Sequence, residues 1–314
     1  MRTLLKNLIL NKGMKTLLTG ANGLVGRVIE ADVRFGGSSD LDLTDLDKTY
    51  REIKAHSPDV VIHTAAKVGG LGANTNYVSD FYVDNVLINT NVLEASRRSG
   101  VTRLIAFLST CIFPDAVEYP LSEGKLHLGE PHDSNFGYAY AKRMLEVQSR
   151  AIRNQYGLNY DCLIPTNIYG PGDNFNIDDG HVLPSLIHKC YLAKQNNEDF
   201  IVWGSGKPLR EFIFSKDIGG IVSKLIERGK SFGSLIVSPS KEISIGEVAE
   251  LVAKHLGFRG NIVYDNSKPD GQLRKPTDNS KLMSLLPDTE FTPIEDGICE
   301  TVEWFVKNYK SCRK

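Results

Sequence analysis

Nowhere in the sequence do two cysteines stand in Cys-x-x-Cys spacing. Its five cysteines, Cys111, Cys162, Cys190, Cys299 and Cys312, are scattered and odd in number, which argues against a disulfide scaffold or a structural zinc site and for a reducing compartment, the cytoplasm. No apolar run is long enough to cross a bilayer. The formal net charge is only −1, so no general attraction draws the chain to nucleic acid or to an anionic membrane. Internal repeats and low-complexity tracts are also missing. Residues 1–13 are apolar with scattered Lys and Arg, lack a convincing cleavage site and read as an extension ahead of the first strand. What is present is 314 residues with 41% hydrophobic content, enough to bury a large core.

Apolar runs alternate with helical patterns, the signature of a parallel sheet covered on both faces. Strands are expected at Lys15 to Thr19, Val33 to Phe35, Val60 to His63, Arg103 to Leu108 and Tyr160 to Ile164. Crossover helices are expected at Asp45 to Ala55, Asn76 to Arg98 and Phe136 to Tyr156. This is an α/β fold, a doubly wound parallel Rossmann sheet, with residues 14–170 as its dinucleotide-binding domain. Beyond Pro165, Pro and Gly become frequent. Helices Val182 to Lys194, Ile243 to Leu256 and Thr301 to Tyr309 then suggest a smaller mixed α/β substrate domain over 171–314, with a segment at about 210–240 returning to the first.

The run Gly20-Ala21-Asn22-Gly23-Leu24-Val25-Gly26 follows the first apolar strand directly. Glycines in this spacing let the backbone turn sharply and approach a dinucleotide diphosphate, with a helix start adding N–H donors. Tyr138 and Lys142 stand four apart in Tyr-Ala-Tyr-Ala-Lys. On a helix they share a face, and a fixed ammonium beside a phenol, which titrates near ~10 when free, is expected to draw its pKa down toward the working range. Ser109-Thr110-Cys111 ends the fourth strand. In open α/β folds the carboxyl ends of the strands meet the ligand, so these three elements are expected to converge there as a hydride-transfer site.

With those motifs in place, longer stretches are specific. Ala65-Ala66-Lys67-Val68-Gly69-Gly70, Ser109-Thr110-Cys111-Ile112-Phe113-Pro114, Pro165-Thr166-Asn167-Ile168-Tyr169-Gly170-Pro171, Gly180-His181-Val182-Leu183-Pro184 and Val202-Trp203-Gly204 resemble the GDP-L-fucose synthase family of extended short-chain dehydrogenase/reductases. The resemblance runs from about Met14 to the C-terminus. It implies conversion of GDP-4-keto-6-deoxy-D-mannose to GDP-L-fucose by 3,5-epimerisation and NADPH-dependent reduction at C4. It further implies that Ser109, Tyr138 and Lys142 form the catalytic triad, that Cys111 and His181 are the acid-base pair, and that Pro165, Thr166, Asn167 and Ile168 touch the cofactor, as would His181. Lys189, Trp203, Arg210, Asp270 and, more weakly, Lys275 fall on positions used for the GDP-sugar. Each has a plainer competitor: Cys111 as an apolar filler, His181 as a helix cap, Trp203 as core. His63 reads as a packed core histidine.

Only a short stretch separates Gly26 from Asp42, so the first crossover helix must be short or distorted. Asp42 matches a position that contacts adenine. No carboxylate stands between Val33 and Gly37 to grip a ribose 2′-hydroxyl, and Arg34, with Ser38 and Ser39, is available for a 2′-phosphate, which favours NADP(H) over NAD(H). A 4,6-dehydratase would need an Asp-Glu pair after Thr110, where Cys111-Ile112 stands. A 4-epimerase would need no second acid-base pair, and a non-catalytic protein of the fold has no need of both Tyr138 and Lys142. The long helices suggest a homodimer.

Overall fold

Leu17 and Leu18 point to opposite faces of one strand and are both fully buried, which requires a layer of protein on each side of it. The computed structural model describes residues 13–268 and 270–314; the extension read over residues 1–13 lies, apart from Gly13, outside them. In chain order the strands are β1 (Thr16–Thr19), β2 (Val33–Phe35), β3 (Val60–His63), β4 (Arg103–Phe107), β5 (Asn159–Pro165), β6 (Asn167–Tyr169), β7 (Phe200–Trp203), β8 (Leu209–Phe214), β9 (Ser234–Val237), β10 (Glu242–Ser244) and β11 (Ile262–Asp265). The helices are α1 (Leu46–His56), α2 (Leu71–Asn76), α3 (Val78–Arg98), α4 (Phe136–Tyr156), α5 (Val182–Asn196), α6 (Ser215–Arg228), α7 (Ile245–Leu256), α8 (Ser280–Leu285) and α9 (Ile294–Asn308).

A parallel sheet runs in the order β2-β1-β3-β4-β5-β9, with Leu17 and Leu18 opposite Val61 and Ile62. Leu17 joins a core with Leu93 of α3 and Leu145 of α4. Leu18 joins a second core with Ile221 and Leu225 of α6. The chain leaves β1 for β2 on one side and returns to β3 on the other, which opens a crevice at their carboxyl ends. β9 lies beside β5, so the chain crosses back to the large sheet after building β6 to β8.

The first crossover departs most from a full α/β unit. Between β1 and β2 the only helical element among the described residues is a 3₁₀ turn, Gly26–Val28. α6 fills the face beside it: a Cβ on Gly219 would lie 2.3 Å from the Val28 carbonyl oxygen, so only glycine permits this approach. The smaller region has a three-stranded sheet, β10-β8-β6, and a two-stranded one, β11-β7, around Phe200, Val248 and Phe305. Its strands are short and framed by glycines, which hid them from periodicity. α9 begins at Ile294, earlier than expected, where Glu295 and Asp296 occupy its first turn and suit the positive end of the helix dipole.

Candidate active site

Gly20 has φ +76°, and a Cβ there would lie 2.6 Å from Ala65 N, so the loop after β1 and the loop after β3 touch only because this residue has no side chain. A Cβ on Gly26 would lie 2.1 Å from the Gly20 carbonyl oxygen. These close approaches shape one end of a cavity of about 760 Å³ lined by the glycine loop, Ser109, Tyr138, Lys142, Pro165 to Ile168 and His181. Asp42 lines it as well. Its carboxylate accepts from Thr44 N (3.0 Å) and Thr44 Oγ1 (2.6 Å), bonds that hold its pKa down.

α4 brings the catalytic candidates to the strand ends. Gly137 lets it pack against α3, since a Cβ would lie 2.6 Å from the Val78 carbonyl oxygen. One turn on, Lys142 is 2% exposed and donates to the Phe107 carbonyl at 2.8 Å. Burial lowers its pKa to about 8. Its Nζ lies 5.9 Å from the centre of the Tyr138 ring, and Phe81 packs edge-on against that ring. Arg143 donates to the carbonyls of Ile112 and Gly129, which ties the Ser109–Cys111 turn to the helix that carries Tyr138. Ser109 Oγ accepts from Cys111 N at 3.4 Å.

The electrostatics correct one expectation. Burial dominates Tyr138 and pushes its pKa up, opposite to the lowering that Lys142 was expected to produce. The desolvation cost of a buried phenolate comes first, Cys111 adds to it, and the Lys142 ammonium does not offset them. A raised pKa keeps the phenol protonated, the form that donates a proton. Cys111 is also raised, first by burial, against the lowering effects of Ser109, Lys275 and Lys142. His181 stands at the N-cap of α5 without a capping hydrogen bond from its side chain. Desolvation and then Arg313 hold its pKa below the ordinary histidine range.

Arg34 is the second correction. Its guanidinium donates to the carbonyls of Ile29 and Gly26 and does not line the cavity; the shortened crossover leaves those carbonyls within its reach, and its donors point there. Ser38 does line the cavity, with Gly36 and Gly37. The third concerns grouping. Lys189 on α5, Trp203, Arg210, Asp270 and Lys275 are not among the lining residues, because they belong to the helix, short strands and loops beyond it; Cys111 is not among them either, although it follows Ser109 and Thr110, which are, and acts on Tyr138 and Lys142. Lys189 Nζ sits 3.4 Å over the Trp203 ring, and that ring is exposed, not core. Asp270 accepts from Ser205 N (2.6 Å) and Ser205 Oγ (2.8 Å).

Sequence reasoning missed Arg27, Asp173 and Arg313, all of which line the cavity. Arg27 follows the glycine run directly and was open to notice; Asp173 and Arg313 are brought in only by tertiary packing. His63 is a core histidine as expected: Nε2–H donates to Asn89 Oδ1 (3.1 Å), Nδ1 accepts from Thr19 Oγ1 (2.8 Å), and burial lowers its pKa to about 3. A dinucleotide fits this cavity on independent grounds. Thr166 Oγ1 and Asp173 Oδ2 are buried at its wall without a partner among the described residues, and such groups call for a polar ligand.

Residues 16–238 match the NAD dependent epimerase/dehydratase family, the class that the sheet and its glycine loop define. The chain is 45% identical to GDP-L-fucose synthase of Dictyostelium discoideum over 95% of this chain and 97% of that protein. It is 32% identical to GDP-L-fucose synthase of Escherichia coli over 94% of this chain and 97% of that one. A crystal structure of a GDP-L-fucose synthetase from Naegleria fowleri bound to NADP superposes with a TM-score of 0.90 at 42% identity, covering 98% of this chain and 97% of that one. The chain belongs to the GDP-L-fucose synthase family.

Proposed function

We propose that this chain converts GDP-4-keto-6-deoxy-D-mannose to GDP-L-fucose, epimerising C3 and C5 before NADPH-dependent reduction at C4. The observation that carries this reading is the meeting of Tyr138, Lys142, Ser109 and His181 in one cavity with the glycine loop. NADPH, when bound, supplies hydride to C4. The glycine loop and Pro165 to Ile168 would hold it, and Lys142, fixed to Phe107, would hold its nicotinamide ribose.

The C4 ketone acidifies the hydrogens on C3 and C5, so one acid-base pair serves both carbons. Cys111 and His181 would exchange those protons from opposite faces, a thiol and an imidazole having ordinary pKa values of ~8.5 and ~6.5 on either side of neutrality. Ser109 and Tyr138 would donate to O4 while negative charge develops there. Tyr138, kept protonated by burial, would then protonate O4 as the C4–H bond forms. Trp203 offers a face for guanine, and Lys189, Arg210 and Lys275 offer cations for the diphosphate. Asp270 shapes the adjoining loop through Ser205.

The exposed Tyr82, Val83 and Leu87 on α3 and Met144 on α4 support a homodimer packed through these helices, measurable by light scattering. No helix among the described residues is long and apolar enough to cross a membrane, and the free cysteines suit the cytoplasm. Incubation with GDP-4-keto-6-deoxy-D-mannose and NADPH, followed by nicotinamide absorbance and product analysis, tests the activity. Turnover to GDP-L-fucose is expected with NADPH far better than NADH. No NADPH oxidation, or a product retaining the original configuration at C3 and C5, would overturn the reading.

A further inference from the structure

A three-residue turn in place of the first crossover helix removes most of the aligned peptide dipoles that a Rossmann site aims at a dinucleotide diphosphate. The Arg27 guanidinium stands beside the glycine loop, and Arg313 lines the same cavity with its charge felt by Asp173 and His181. Arg27 Nε donates to the Asn22 carbonyl at 2.8 Å, and a Cβ on Gly172 would lie 2.6 Å from Arg27 Nη1, so this side chain is wedged between the glycine loop and the turn at Gly172. Arg313 arrives from the segment after α9. Its carbonyl accepts from Phe175 N at 2.9 Å, which docks it beside the same turn. Arg27, Asp173, Asn174 and Arg313 all line the cavity.

Neither arginine has a carboxylate within ion-pair distance among the described residues, so both retain charge for a ligand. Asp173, 3% exposed, is buried beside them with Oδ2 unpartnered among the described residues; it stands where it can seat the Arg313 guanidinium. We infer that Arg27 and Arg313 grip the cofactor diphosphate from two sides, replacing the dipole of the missing helix with two fixed charges. A guanidinium fork suits this task because it can give two parallel hydrogen bonds to phosphate oxygens.

This inference rests on the NADPH reading above, and its test separates the two. NADPH binding to the full chain is followed by nicotinamide fluorescence, with adenosine 2′-monophosphate, which lacks a diphosphate, as the second probe. Arg27→Gln and Arg313→Gln are each expected to raise the NADPH Kd roughly tenfold, and together about a hundredfold, on the scale of charge-assisted hydrogen bonds. Affinity for adenosine 2′-monophosphate should stay within about twofold. Arg27→Lys, which keeps the charge without the fork, should fall between Arg27→Gln and the unaltered chain. Unchanged NADPH affinity in both Gln variants overturns the inference, as does equal weakening of both probes. If the unaltered chain binds no NADPH, the proposed function itself fails and this assignment falls with it.

Discussion

Lys142 and Lys189 have the same side chain and nearly the same depressed pKa, about 8, yet they occupy opposite kinds of site. Lys142 is sealed at the end of β4 with a backbone carbonyl to hold it. Lys189 lies against the exposed Trp203, within range of Asp178, Lys268 and Asp265. The first belongs to an enclosed region whose geometry is set before any ligand arrives. The second belongs to an open one, with side chains spread over α5, β7, β8 and the loop around Asp270. Groups that move protons and hydride need fixed positions, because small displacements cost rate. Groups that bind a nucleotide can be gathered by the nucleotide itself.

The largest expected effect breaks the enclosed half alone. Tyr138→Phe removes the proposed donor to O4 and should slow NADPH oxidation by about three orders of magnitude, while substrate in deuterated water still acquires deuterium at C3 or C5. Loss of both signals would mean that Tyr138 also organises the site. Cys111→Ser should do the reverse, cutting deuterium incorporation about a hundredfold with NADPH affinity intact. Exchange at the unaltered rate would assign Cys111 to packing, and the epimerase role to other residues.

In the open half, Trp203→Ala should raise the KM for the GDP-sugar about tenfold with kcat little changed, the mark of uniform binding. Because burial lowers the pKa of Lys189 to about 8, its charge is lost as pH rises through that value. The KM should therefore climb between pH 7 and 9, and Lys189→Arg should flatten the climb. A profile that Lys189→Arg does not alter would remove Lys189 from the binding site.

Two smaller effects test what the enclosed half owes to structure alone. Arg34→Ala strips donors from the Gly26 and Ile29 carbonyls, so it should lower the melting temperature by a few degrees and leave the preference for NADPH over NADH unchanged. A shift toward NADH would return Arg34 to the 2′-phosphate. His63 is held near pKa 3 when folded against ~6.5 when unfolded, so the unfolded chain binds the extra proton in that window. Stability should fall as pH drops from about 6.5 toward 3. His63→Gln should reduce that slope in denaturant titrations, and an equal slope would implicate other groups.

The sequence alone determined the parallel sheet, because Leu17-Leu18, Val60 to Ile62 and Leu104-Ile105 are continuous apolar runs that only a sheet covered on both faces can bury. It also located the glycine loop and the Tyr138–Lys142 pair, since both are local in the chain and their spacing is their meaning. The shortened first crossover was legible as a length. Its consequence was not: that Arg34 would turn to the Gly26 and Ile29 carbonyls depends on which backbone oxygens the shortened crossover leaves within its reach. The rise of the Tyr138 pKa likewise needed the fold, since desolvation is set by every neighbour that displaces water and not by the nearest charge in sequence. Arg313 stands far from the glycine loop along the chain and beside the same cavity in space. Only the packing that follows α9 brings the two together.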